Sequence, residues 1–143
     1  PKDASISLFK AMRDLKSISK ELHLPLQSGS DRMLKAMSRG YDSKYYLDLV
    51  KFFREILPGR PITTDIIVGF PGETEKDFEA TKRLLSEIEF GASYIFKYSP
   101  RPPTFSSKQD DDVPKAVKMR RHRELLDIQI AISRKKRKNK EIS

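Results

Sequence analysis

Cysteine is absent from this chain of 143 residues. Its absence excludes disulfide bonds, a thiolate nucleophile and a cysteine-held metal cluster within these residues. Histidine occurs only as His23 and His122, so a histidine-rich metal site is not expected either. No apolar run approaches the roughly 20 residues that a membrane-spanning helix needs, and no signal peptide is visible at the start. We therefore expect a cytoplasmic protein that does not enter a membrane.

Positive charge is concentrated in the last fifth of the chain. Residues 115–141 carry eleven Lys and Arg against three Asp and Glu, a net of +8 out of the +9 of the whole sequence. Such a cluster attracts the phosphate backbone of a nucleic acid. The alternative is a solvated helix end, where basic side chains interact favourably with the helix dipole. No aromatic residue interleaves the basic ones to stack on bases, so both interpretations stay open.

The segment from residue 62 to residue 78 has the pattern of a strand, a turn and a capped helix. Its β-branched residues predict a strand that is buried on both faces. Gly69 and Gly72 bracket Pro71 in a tight turn, where a ligand could approach the backbone. Thr74 lies three residues before Asp77, which is the spacing of a capping box. Sites in parallel sheets form beyond the carboxyl ends of the strands, which is where this turn falls.

Apolar residues elsewhere recur at helical and strand spacings. Helical spacing predicts helices over residues 5–19, from an N-cap at Ser30 to Gly40, from Asp42 or Ser43 to residue 57, over 74–89 and from residue 113 onward. Short apolar runs predict strands over residues 22–26, 62–68 and 93–98. Residues 99–112 hold three prolines and a run of three Asp, so they should form an extended, exposed loop.

The predicted order of elements is α, β, α, α, β, α, β, α. Alternation of this kind indicates an α/β protein with a parallel sheet and right-handed crossovers. Three strands cannot close a barrel, and the outer edges of such a sheet would be unpaired. We therefore predict a segment of a TIM-type (β/α) barrel over residues 1–112, followed by a long, basic C-terminal helix over residues 113–143.

Four segments closely resemble the methylthiotransferase family of radical S-adenosylmethionine enzymes. They are residues 22–32 (LHLPLQSGSDR), 39–41 (RGY), 64–74 (TDIIVGFPGET) and 98–101 (YSPR). The resemblance runs from about residue 6 to residue 132. Residues 96–102 (FKYSPRP) look most like the branch of the family that acts on isopentenyladenosine in tRNA.

The resemblance implies an enzyme with parts that this chain lacks. Family members have an N-terminal domain with a second iron-sulfur cluster, a central radical barrel with a CxxxCxxC loop, and a C-terminal RNA-binding domain. By this resemblance, residues 1–112 are the second half of the barrel, and residues 113–143 are an exit helix toward the RNA-binding domain. The start of the chain at Pro1, without an initiator Met, fits a shortened protein.

The resemblance also implies the chemistry of the parent enzyme. Its cofactors would be S-adenosylmethionine and [4Fe-4S] clusters, and its substrate would be tRNA. The cofactor would be cleaved reductively to a 5′-deoxyadenosyl radical, which abstracts a hydrogen before a methylthio group is installed. This chain has no cluster ligands, so alone it should be inactive. Its open sheet edges should favour self-association.

By the same resemblance, cofactor contacts fall at the ends of the three strands. They are Gln27, Ser28, Asp65, Gly69, Pro71 and Tyr98. Arg101 could meet a substrate phosphate or a cofactor carboxylate and is assigned to the substrate, and the charge of the basic helix assigns Arg134 and Lys136 to tRNA. No residue of this chain is assigned a catalytic role.

Several of these positions also have a simpler, structural interpretation. Ser28 could cap the following helix, and Gly69 with Pro71 could only shape the turn. Asp65 is a carboxylate in an apolar strand, so it should have a partner such as a backbone N–H, an Arg or a Lys. His23 lies within a strand, where a hydrogen-bonded core histidine is the commoner outcome.

Three other functions remain open from the sequence. The parent enzyme could modify an aspartate of a ribosomal protein, or threonylcarbamoyladenosine in tRNA. The third possibility is a non-catalytic nucleic-acid-binding module that uses the basic helix of residues 115–140 as its binding surface. A simple binding module has no need of the polar residues at the strand ends, which favours an enzyme.

Overall fold

A computed structural model describes residues 4–15, 21–99 and 112–142 of the chain, with side chains as far as residue 139. The described residues form three strands and five helices. In chain order these are α1 (Ile6–Asp14), β1 (Leu22–His23), α2 (Asp31–Ala36), α3 (Ser43–Ile56), β2 (Ile62–Val68), α4 (Glu75–Ile88), β3 (Ala92–Lys97) and α5 (Lys115–Ile142). The predicted order of elements is therefore confirmed. Most of the predicted 99–112 loop, including Arg101, lies outside the described residues.

The three strands form one parallel sheet in the order β1-β2-β3. This arrangement confirms the α/β fold with adjacent parallel strands. Strand β1 is shorter than predicted, because Pro25 has no N–H to offer the ladder. Pairing resumes at Gln27, whose N–H donates to Asp65 O at 2.8 Å and whose carbonyl accepts from Ile67 N at 2.9 Å. The strand ends thus lie at one edge of the sheet.

The hydrophobic core lies on one face of the sheet, between the strands and the helices. Alternate residues of β2 point into it, since successive side chains of a strand face opposite sides. Its largest fully buried members come from both strands and helices: Phe9, Leu26, Tyr46, Phe53, Ile66, Phe78 and Phe90. The other face carries Tyr94 and Phe96, which are 54% and 55% exposed. On this face of β2, Thr63 is buried but Asp65 and Ile67 are half-buried, so the expectation that β2 is buried on both faces is fully met on the helical face only.

Helix α5 covers the free edge of β3. Its side chains donate to one backbone carbonyl in that strand and to one on either side of it: His122 Nε2 to Ile95 O at 3.0 Å, Gln129 Nε2 to Phe90 O at 3.0 Å, and Lys118 Nζ to Tyr98 O at 3.1 Å. A bare strand edge invites pairing with another chain, and these contacts occupy part of it. Within the described residues the outer edges of β1 and β3 have no strand partner, as predicted, and α5 shields part of the β3 edge.

Helix N-caps follow the sequence pattern closely. Ser30 accepts from Met33 N at the start of α2, and Asp42 accepts from Tyr45 N at the start of α3. Thr74 and Asp77 form the predicted capping box of α4. No helix within the described ranges has the length and apolar character that crossing a membrane requires.

Candidate functional site

A cleft of about 380 Å³ lies at the carboxyl ends of the three strands. Gln27, Asp65 and Tyr98, which come from three separate parts of the sequence, all line it. The rest of its wall is formed by Arg39, Ile67, Phe96, Lys97 and Ser99. We call this the strand-end cleft. It is the position at which parallel α/β sheets bind their ligands.

Gln27 adopts a strained backbone conformation at the end of β1. Its φ is +71°, in the left-handed region that residues other than glycine rarely adopt. Its two backbone hydrogen bonds to β2 hold it there. The side-chain amide is half-buried and has no hydrogen-bond partner among the described residues. The fold therefore holds an amide with free donors and acceptors at the cleft wall, at a cost of about 1–3 kcal/mol.

Asp65 is paired with a histidine that the sequence did not assign to the site. His23 Nε2 lies 3.1 Å from Asp65 Oδ2, and His23 Nδ1 lies 2.7 Å from Thr63 Oγ1. Because a carboxylate only accepts hydrogen bonds, Nε2 carries the hydrogen, and in the neutral ring Nδ1 accepts from the Thr63 hydroxyl. The His23 side chain is 45% exposed on the open face of the sheet, so the prediction of a core histidine is wrong. The missed signal was the alternation of buried Leu22 and Leu24 around it.

Ser28 points away from the strand-end cleft. Its buried hydroxyl lies 3.3 Å from Thr81 Oγ1 on α4 and accepts from Ser30 N at 3.1 Å. Gly29 approaches the same helix so closely that an added Cβ would lie 2.6 Å from Ala80 O. These contacts attach the end of β1 to α4. The hydroxyl of Ser28 already has two polar contacts within the protein, whereas the amide of Gln27 has none in the described residues.

The turn between β2 and α4 is fixed by a buried ion pair. Glu73 Oε1 accepts from Gly69 N at 2.9 Å and from Arg121 Nη1 of α5 at 2.8 Å. Burial raises the pKa of Glu73, while the Gly69 N–H and the Arg121 guanidinium oppose that rise. Glu73 thus binds the turn to α5. Pro71 is half-buried in this turn, and neither it nor Gly69 lines the strand-end cleft.

Gly69 is required for the approach of α5. Its φ is +77°, and an added Cβ would lie 2.4 Å from Lys118 Cγ. Lys118 then extends to Tyr98, with its ammonium 5.4 Å from the ring centroid. Phe70 packs edge-on against the same ring at 5.2 Å. Phe70 of the turn and Lys118 of α5 therefore fix the orientation of the Tyr98 ring in the wall of the cleft.

The start of α4 is attached to the segment after β1 by a second ion pair. Arg32 donates to both carboxylate oxygens of Asp77, and Ser30 Oγ donates to Asp77 Oδ1 at 2.7 Å. Burial alone would raise the pKa of Asp77. Hydrogen bonds from Arg32, the Thr74 N–H and Ser30 outweigh it and hold that pKa well below its usual range. Much of the 22–32 motif therefore packs the strand end onto α4.

The two basic residues assigned to tRNA lie in different surroundings. Arg134 is exposed, whereas Lys136 is half-buried and donates to Glu89 O at the end of α4. Burial, followed by the nearby positive charge of Arg54, lowers the pKa of Lys136. In the described part of the chain, no cluster of three or more His, Asp or Glu could hold a metal ion.

Comparisons with known proteins agree with this fold and point to a family. The model of the Radical SAM superfamily matches residues 4–85. Proteins named tRNA-2-methylthio-N(6)-dimethylallyladenosine synthase are similar in sequence to this chain. The one from Saccharopolyspora erythraea is 46% identical over 93% of this chain and 27% of its own length. The one from Endomicrobium trichonymphae is 49% identical over 85% of this chain and 29% of its own length.

A third relative of that name, from Protochlamydia amoebophila, is 47% identical over 96% of this chain and 30% of its own length. The chain thus spans under a third of the length of these relatives. Among solved structures, coproporphyrinogen III oxidase (HemN) from Escherichia coli, described as a radical SAM enzyme, is similar with a TM-score of 0.75. The likeness covers 92% of this chain and 31% of that one at 20% sequence identity, so it supports the fold alone.

Proposed function

The chain belongs to the Radical SAM superfamily, and we propose that it is the second half of the catalytic barrel of a tRNA methylthiotransferase. The observation that carries the proposal is the strand-end cleft, where Gln27, Asp65 and Tyr98 converge. The relatives at 46–49% identity, which are named as synthases of 2-methylthio-N(6)-dimethylallyladenosine in tRNA, support that substrate. Because the proposed substrate is tRNA, we also propose that the protein is cytoplasmic.

The cleft residues fit S-adenosylmethionine by their chemistry. The cofactor carries an amino-acid group, a ribose and an adenine, which together require donors, acceptors and a flat apolar surface. Gln27 offers a free amide, Asp65 offers a carboxylate, and Tyr98 and Phe96 offer aromatic rings. When bound, S-adenosylmethionine supplies the radical chemistry of the superfamily together with a [4Fe-4S] cluster. The cysteine ligands of such a cluster would come from outside this chain, which has none.

The residues of this chain have binding and orienting roles in the proposed site. Gln27 would hydrogen-bond the polar part of the cofactor, because its amide is held in the wall of the cleft. Asp65 keeps its carboxylate in place through His23 and Thr63, so a hydroxyl group could donate to its remaining lone pairs. Gly69 and Pro71 do not line the cleft, so their proposed part in cofactor binding is to shape the turn beside it. Ser28 would act indirectly, because its contacts with Thr81 and Ser30 hold the end of β1 and with it Gln27.

Contact with tRNA is assigned to the basic helix and to the loop after β3. Arg134 is exposed and has no ion pair in the described residues, so its guanidinium is available to a phosphate. Lys136 would contribute mainly through its charge, since its ammonium already donates to Glu89 O. Arg101 lies outside the described residues and stays a sequence-based proposal.

The activity can be tested with the full-length protein under anaerobic, reducing conditions. We expect it to convert dimethylallyladenosine in tRNA to the 2-methylthio form, detected by mass spectrometry of digested nucleosides. Parallel reactions would contain tRNA with threonylcarbamoyladenosine, or ribosomal protein. Modification confined to either of these would replace the proposed substrate, and binding of tRNA without any cofactor cleavage would favour the non-catalytic alternative.

The cofactor site can be tested by two neighbouring substitutions with opposite expectations. Gln27→Ala should weaken S-adenosylmethionine binding by roughly two- to tenfold, the equivalent of one hydrogen bond of about 0.5–1.5 kcal/mol. It should leave thermal stability and cluster content near those of the wild type. Ser28→Ala should lower stability by about 1 kcal/mol through the loss of buried hydrogen bonds. If Gln27→Ala binds the cofactor normally and melts early, Gln27 is structural.

A further inference from the structure

A second, larger cleft lies at the opposite end of the sheet. It has a volume of about 710 Å³ and is bordered by Pro61 and Gly91, which immediately precede β2 and β3. We call it the amino-end cleft. Strand β2 has seven residues, so the two clefts are separated by roughly 20 Å along the strands. The amino-end cleft therefore has no part in the cofactor site proposed above.

Four basic residues from three separate parts of the chain line the amino-end cleft. Arg54 belongs to α3, Arg60 to the loop before β2, and Lys136 and Arg137 to α5. The acidic residues in its wall are Glu87 and Glu89. Glu89 is paired with Lys135, whose Nζ lies 2.8 Å from its Oε1. Convergence of basic side chains from several elements differs from a basic stripe along a single solvated helix.

Two of the four basic residues are held in place by the end of α4. Arg54 Nη2 donates to Ile88 O at 2.5 Å, and Lys136 Nζ donates to Glu89 O. These contacts cap carbonyls at the negative end of the helix dipole, which is an ordinary structural role. That role does not account for Arg60 and Arg137. Their side chains are exposed and form no hydrogen bond or ion pair with any described residue.

We propose that the amino-end cleft binds the phosphate backbone of tRNA, through Arg60 and Arg137 at its rim and the charges of Arg54 and Lys136 inside it. This inference rests on the proposed function for the identity of the nucleic acid. Planar guanidinium groups suit phosphate oxygens, with which they form paired hydrogen bonds. Arg134 does not line the cleft, but it is exposed and follows Ser133, which does. A tRNA would then contact the barrel at its amino end as well as at the strand-end cleft.

The test is the binding of tRNA to the full-length protein carrying Arg60→Gln or Arg137→Gln. Arg83→Gln is the matched control, because Arg83 is an exposed α4 residue with no partner in the described chain and lies outside the cleft. We expect both cleft variants to bind at least about threefold more weakly at 50 mM salt. Each lost phosphate contact removes about 0.9 from the slope of log affinity against log salt, which is about 3.5-fold between 50 and 200 mM salt, so a threefold deficit in affinity should have disappeared by 200 mM salt.

Two further readouts separate a binding role from a structural one. Melting temperatures and S-adenosylmethionine affinity of the two cleft variants should match the wild type. Turnover at saturating tRNA should also be unchanged, while the KM for tRNA rises. Cleft variants that bind tRNA like Arg83→Gln, in an otherwise active enzyme, would overturn this inference alone.

Other outcomes would also overturn it. Loss of affinity for a polyglutamate peptide, without loss for tRNA, would assign the cleft to an acidic protein partner. A wild-type protein that neither binds nor modifies tRNA would overturn the proposed function together with this inference.

Discussion

Replacing Gly69 by alanine tests whether α5 depends on the bare backbone of the turn beside the strand-end cleft. Alanine at φ +77° carries a left-handed penalty of roughly 1–2 kcal/mol. Alanine also has fewer conformations than glycine in the unfolded chain, which offsets about 0.4–1 kcal/mol of this penalty. The new Cβ would lie 2.4 Å from Lys118 Cγ, and overpacking of this kind costs about 1–3 kcal/mol. We expect Gly69→Ala to destabilise the fold by about 2–4 kcal/mol in all.

Gly59→Ala is the matched control for this substitution. Gly59 has nearly the same φ, +76°, but no atom lies within 4 Å of its added Cβ. It should therefore cost only the conformational part, about 1 kcal/mol. Urea denaturation followed by circular dichroism gives both values, provided that the m-value does not change.

A double mutant identifies the contact that is responsible. In a Lys118→Ala background the methyl group has room, so the cost of Gly69→Ala should fall to that of Gly59→Ala. Equal costs for the two single glycine substitutions, or an unchanged cost of Gly69→Ala without Lys118, would refute the reasoning. The turn would then not depend on the approach of α5.

Three further predictions concern charge and metal. Asp77→Asn should lose about 1 kcal/mol at pH 7 through its cap and its pairing with Arg32. The pKa of Asp77 is lowered in the folded state, so its contribution to stability is present above about pH 4 and is lost on acidification. The melting temperature of Asp77→Asn should therefore fall less steeply at low pH than that of the wild type. Arg121→Met should cost about 3 kcal/mol by leaving Glu73 buried without its charged partner. Arg120→Met, at a side chain 46% exposed, should cost clearly less, because solvent screens its ion pairs. Loss of Arg121 raises the pKa of Glu73 further, so Glu73 becomes protonated as the pH falls and its buried charge disappears. The difference in unfolding free energy between Arg121→Met and the wild type should therefore narrow on acidification. A difference that does not change with pH would argue against a buried charge at Glu73. Finally, the chain alone should remain colourless after iron-sulfur reconstitution, since it has no cysteine. Brown, iron-containing protein would contradict this.

The sequence by itself determined the features that depend on neighbours along the chain. Strand β2 was predicted over the residues that form it, because a β-branched run between turn residues has few alternatives. The caps at Ser30 and Thr74 were predicted correctly, and Asp42 was one of the two caps predicted for α3, since each acts within three residues of itself. Alternation of strands and helices was enough to predict a parallel sheet, because short crossovers allow little else.

Only the tertiary structure decided which side chains share a surface. Gln27 and Ser28 are adjacent in sequence, yet one lines the strand-end cleft and the other contacts α4. His23 joins Asp65 because the register of β1 on β2 aligns the two on the open face of the sheet.

The same reason explains the contacts of α5. The helical spacing of its apolar residues predicted a helix, but not that Arg121 and Lys118 would reach the turn beside the cleft. Nor could spacing bring Arg54, Arg60 and Arg137 to one cleft. Such contacts depend on how distant segments pack, and local propensity carries no information about distances between them.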